Sequence, residues 1–145
     1  MTLPDSFLDP ESLEQSDDDF ALRVADESDL DFELRFFDRI LRRNRDYVDV
    51  LRCQGELLSR KRRHAEALEI DRRLVQLRPD DGVVRYNLAC SLAMQNHAHE
   101  AIVELRRAFE RGYDDFAHLE IDRDIDGLRE LPAFQALLKE YGIAP

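Results

Sequence analysis

Tyr86-Asn87-Leu88-Ala89-Cys90-Ser91-Leu92-Ala93-Met94-Gln95-Asn96, followed by Glu100-Ala101-Ile102 and Ala108-Phe109, decides the fold. It reads as two amphipathic helices with a short polar turn between them, and the segment before it has the same plan. Gly and Pro number only five each, and no dense run of β-branched residues interrupts the pattern, so the chain is expected to be all-α.

Working outward, six helices are predicted over about 29–43, 47–60, 65–77, 81–95, 98–111 and 132–141. Ser28 or Asp29 is a natural cap for the first. Leu30, Leu34, Phe37 and Leu41 then make its apolar stripe, broadened by Phe36 and Ile40, and Arg42, Arg43 and Arg45 suit the negative end of its dipole. Gly55 falls inside the second helix, which costs about 1 kcal/mol relative to alanine, so a neighbouring helix is expected to cross there. Pro79 closes the third helix and Gly112 the fifth.

The net charge of −11 is local. Residues 1–33 hold twelve acids against Arg23 alone, while twenty acids and twenty bases cancel in the rest. Residues 1–28 are therefore expected to be an acidic, mostly disordered leader ahead of a neutral helical domain at 29–145. It reads as a solubilising tail or as a segment that folds onto a basic face. The balanced body has no basic excess to displace counterions, which argues against nucleic acid. The basic run Arg60-Lys61-Arg62-Arg63-His64 reads as a solvated turn. No signal peptide or membrane span is readable, and two distant cysteines suit a reducing cytosol.

A shift of 34 residues pairs Leu58 with Leu92, Glu66 with Glu100, Ala67 with Ala101, and Asp80-Asp81 with Asp114-Asp115. It also sets Gly55 against Ala89 and Leu74 against Ala108. In this period, in the small residues at 55, 89, 67 and 101, in Pro79 and in Tyr86-Asn87-Leu88-Ala89, the chain resembles the tetratricopeptide repeat family. Asp71 departs from it, standing where an aromatic is expected, and so does Gly112-Tyr113, where a closing proline belongs. The stretch from Gly112 through Asp122 to Leu131-Pro132-Ala133-Phe134-Gln135-Ala136-Leu137-Leu138 resembles an end-of-array segment of bacterial members. The resemblance implies a right-handed helical array: a half repeat, two full repeats and a C-terminal capping helix that hides the last apolar face.

No catalytic constellation, cofactor motif or metal site is expected. Asp122-Arg123-Asp124-Ile125-Asp126-Gly127 begins like a calcium loop, but Ala133 stands where the closing glutamate belongs, so the aspartates read as caps of short helical turns. The histidines lack zinc spacing. Cys53 and Cys90, 37 residues apart, read as buried small residues, with a redox pair as the alternative.

What the resemblance implies instead is a concave groove lined by the first helix of each repeat. Asp49, Arg52, Cys53, Glu56 and Arg60 would come from one repeat, and Val83, Tyr86, Asn87, Cys90 and Met94 from the next. Such a face suits a peptide or a helix. Asn87 is placed to bond a ligand backbone, while Glu56 stands where relatives that clamp a terminal carboxylate carry asparagine, so that specialisation is not expected. The expected function is non-catalytic binding of a protein or peptide in the bacterial cytoplasm. The alternatives are a structural or autoinhibited module with the leader over Arg52 and Arg60, or a homo-oligomerising scaffold.

Overall fold

The computed structural model describes residues 29–143; the leader at 1–28, which includes Ser28 as a cap of the first helix, and the side chains of Asp29 and Leu30 lie outside the described residues. Among those described, the chain is all-helical, without a strand. Its α-helices are α1 (Asp29–Arg43), α2 (Val48–Arg60), α3 (His64–Leu77), α4 (Gly82–Met94), α5 (Ala98–Glu110), α6 (Phe116–Ile121) and α7 (Pro132–Glu140). A 3₁₀ helix, Arg123–Leu128, separates the last two. From α1 to α5 each helix packs chiefly on its sequence neighbours, the 3₁₀ helix lies against α4 and α5, and α7 against α5. No helix among the described residues is long and apolar enough to cross a membrane.

The apolar spacing explains most of this packing. Leu34 is buried, and Phe37, Ile40 and Leu41 are partly so. Phe36 does not join the stripe: it is 54% exposed, as is Phe32 at 55%. Two residues beyond Leu34 on a helix, Phe36 lies nearly on the opposite face. Leu34, Leu57, Leu58 and Ala67 form one small core, and Leu51, Leu74 and Val84 another. The large core joins Leu88, Ala89 and Leu92 of α4 to Ala101, Leu105, Ala108 and Phe109 of α5. The C-terminal segment adds Leu119, Ile125, Leu128, Phe134, Leu137 and Leu138 to it.

The turns after α2 and α4 share one backbone geometry. Arg62 and Asn96 both adopt the left-handed region, at φ 59° and 62°. Arg63 N–H donates to Leu58 C=O at 2.9 Å and His97 N–H to Leu92 C=O at 2.9 Å. Every one of these residues lies 34 positions from its counterpart. The helices end by this reversal because a left-handed residue turns the chain back onto the last free carbonyls.

Two glycines mark close approaches. At Gly55 a Cβ would sit 3.3 Å from both Asp71 Oδ1 and Ile70 Cγ2, so α3 does cross α2 there. Gly82, the first residue of α4, is tighter: a Cβ would lie 2.8 Å from Tyr113 N, 3.0 Å from Ala108 O and 3.1 Å from Arg111 O. These are backbone atoms that no rotamer change moves. Gly82→Ala is therefore expected to lower stability by about 1–3 kcal/mol. Urea unfolding checks it, and an unchanged midpoint would show that α4 shifts freely.

Candidate functional site

A cavity of about 390 Å³ lies between α2, α4 and the segment after α5. Arg52 and Glu56, one helical turn apart on α2, line one wall. Tyr86, Asn87, Cys90 and Ser91 of α4 line the other, Asp71 comes from α3, and His118, Asp122 and Asp124 come from the C-terminal segment. A second cleft of about 510 Å³ lies beside it, lined by Val83, Tyr86, Asn87, Asp80, Arg111 and His118 among others. Exposed Asn87 borders both.

Of the residues that sequence assigned to a groove, Arg52, Glu56, Tyr86, Asn87 and Cys90 come together at the first cavity, and Val83 opens onto the second. Asp49, Arg60 and Met94 line neither. Cys53 is exposed rather than buried, Cys90 is buried, and both thiols are free.

Several of these side chains are already engaged within the chain. The Tyr86 ring is 2% exposed and stacks on Tyr113, centroids 4.1 Å apart and planes 5° apart. Its hydroxyl donates to Asp122 Oδ2 at 2.6 Å, and the Cys90 thiol donates to the same oxygen at 3.5 Å. Tyr86 and Cys90 are thus structural wall rather than open contact surface. Burial, followed by the nearby Cys90 and Asp122, pushes the Tyr86 phenol far above its usual range. Burial and then Asp122 do the same to the Cys90 thiol. A thiol held protonated is a poor nucleophile and a poor metal ligand.

The charged end is also paired. Arg52 donates to Asp81 Oδ2, and Asp81 caps α4 by accepting from Val83 N (3.0 Å) and Val84 N (3.2 Å). Burial alone would push the Asp81 carboxyl up, but the Val84 N–H and the Arg52 guanidinium outweigh it and hold it below its usual value. Arg60 pairs with Glu56 on the same helix at 2.7 Å. Exposed pairs of this kind contribute little to stability and exchange readily with water or a ligand.

The 122–127 stretch folds as the 3₁₀ helix. Asp122 Oδ1 accepts from Asp124 N at 3.0 Å, the capping role its sequence suggested. Arg129 fixes the turn by donating to the carbonyls of Leu119 (3.0 Å) and Asp122 (2.7 Å). Cys90, Asp122 and Asp124 bring possible ligand atoms within 4.8 Å of one another. Asp122, however, already accepts through both oxygens, and His118 Nε2 stands 3.3 Å from its Oδ2. This arrangement is a hydrogen-bonded brace that ties the C-terminal segment to α4.

Asp71 is the residue whose role at the cavity the sequence did not reveal. It is 6% exposed, and its Oδ2 accepts from Ser91 Oγ. Burial pushes its carboxyl from 3.8 up to about 6, against the opposing pull of that hydrogen bond. Its signal in sequence is a charge in the row Ala67-Asp71-Leu74 that α3 otherwise buries. Asp124, the other perturbed carboxyl here, is raised by burial and then by the charge of Asp122.

No protein-family model matches the chain, and no solved structure matches it significantly. A 91-residue stretch, 61% of the chain, is 30% identical to a chloroplastic protein of Arabidopsis thaliana. The matched part is 27% of that protein, so the chain spans about a quarter of its relative's length.

Proposed function

We propose that this protein is a tetratricopeptide-like right-handed helical array that binds an extended segment of another protein in the groove between α2 and α4. The observation that carries the reading is the 34-residue recurrence of one turn geometry at Arg62 and Asn96. Around it, Ala67 and Ala101 are each fully buried at equivalent places, and Gly55 admits α3 where a side chain would crowd it. The segment from Phe116 to Glu140 then covers the last apolar face, as the end of a stack requires. Binding is non-catalytic in this reading: the buried thiol and phenol are held protonated and tied to Asp122. The free thiols suit a reducing compartment, for which we take the bacterial cytoplasm.

Tyr86 and Arg52 are poor probes of this groove because one is core and the other steadies the α4 cap. Exposed Glu56 and Asn87 are better. A phage-displayed random dodecapeptide library selected on the whole protein is expected to yield clones that lose at least about tenfold in binding to a Glu56→Arg, Asn87→Arg variant; tenfold is 1.4 kcal/mol. The same clones should bind a Glu69→Arg variant, altered at an exposed site on α3, as they bind the wild type. Failure to enrich any clone, or equal loss in both variants, would reject the groove.

A further inference from the structure

We infer that the 390 Å³ cavity seats one basic side chain, lysine or arginine, of the bound segment, with Asp71 as its counter-ion. This rests on the groove reading and adds the chemistry of what the groove recognises.

The argument starts at Asp71. Asp71 is 6% exposed, so its carboxyl meets little solvent apart from what enters the cavity. Ser91 Oγ serves Oδ2, and among the described residues no hydrogen-bond donor reaches Oδ1. Gly55 leaves that oxygen uncovered: a Cβ there would stand 3.3 Å from it. The residue lines the cavity, so the unfilled acceptor faces space that a ligand can enter.

Charge points the same way. Glu56, Asp71, Asp122 and Asp124 all line this cavity. Arg60 pairs with Glu56, and Arg52, on the same wall, is turned to Asp81, so among the described residues Asp71, Asp122 and Asp124 are the cavity's acids without an arginine on their carboxylates. His118 lies against Asp122. Burial raises the carboxyls of Asp71 and Asp124, and at Asp124 the charge of Asp122 adds to it, so a cation entering the cavity would favour the ionised form of both. A guanidinium or ammonium entering between Glu56 and Asn87 supplies donors and charge together, and in a partly dry site such a bond is about twice as strong as a neutral one. A bound metal ion fits less well, since both Asp122 oxygens are occupied and Cys90 is held as a thiol.

The test uses the selected dodecapeptides, resynthesised. Lysine or arginine is expected at one fixed position in most clones. Replacing that arginine by citrulline, which keeps the shape and removes the charge, should weaken binding to the wild-type protein at least tenfold. Asp71→Asn should weaken the arginine peptide by a similar factor and leave the citrulline peptide nearly unchanged. Equal binding of the arginine and citrulline peptides overturns the inference, and that comparison needs no variant protein. Clones that bind through Glu56 and Asn87 but share no basic position also overturn it while leaving the groove intact. If no clone binds the groove at all, both readings fall.

Discussion

Phe134→Ala is expected to destabilise the protein by about 3–5 kcal/mol, the usual range for emptying a buried aromatic site. Phe134 is 2% exposed and belongs to the core that joins α4, α5 and the C-terminal segment. Its neighbours in that core, Leu105 and Leu137, are wholly buried and hold their places from separate helices, so they have little room to collapse into the void. For a domain with a typical stability of about 5–15 kcal/mol this is a large fraction. The melting temperature by circular dichroism should fall by roughly 10 °C or more. A fall of only a degree or two would mean that α7 covers nothing the helical core needs.

Asp71→Asn is the second large effect, and its sign depends on pH. The folded carboxyl sits at about 6 against an ordinary value of 3.8, so between those values the folded state binds more protons than the unfolded one. Stability from this group is present in full below about pH 4 and is lost as pH rises through about 6. The gap corresponds to about 3 kcal/mol at roughly 1.4 kcal/mol per pH unit. Asparagine keeps an acceptor for Ser91 and does not ionise. Urea unfolding from pH 4 to 7.5 should therefore find the variant gaining on the wild type by about 3 kcal/mol across that window. Parallel pH profiles would show that Asp71 is better hydrated than its burial implies.

The helical fold is legible in the sequence because three- and four-residue apolar spacing is a local property that tertiary packing only has to respect. Phe36 misleads because its aromatic character says nothing of its angle on the helix; two residues from Leu34, it faces outward. The short helices at Phe116–Ile121 and Arg123–Leu128 carry too few turns for a periodic signal, although Asp122, which caps the second, is readable as a cap. At the candidate site, periodicity suffices to bring Arg52 to Glu56 and Tyr86 to Cys90, each pair one helical turn apart. It is blind to Asp122, which reaches Tyr86 across 36 residues of chain, and to the Asp71–Ser91 bond across 20. Those contacts depend on how separate helices stack, which no local pattern encodes.

The cores that hold the two walls of the groove differ greatly in size. α4 is embedded in the large C-terminal cluster, whereas α2 leans on two patches of a few side chains each. Warming therefore works α2 loose sooner than α4, since local opening follows the number of buried apolar neighbours. The two walls of the cavity thus differ in firmness, one fixed and one that gives, and the wall that gives is the one that carries Glu56.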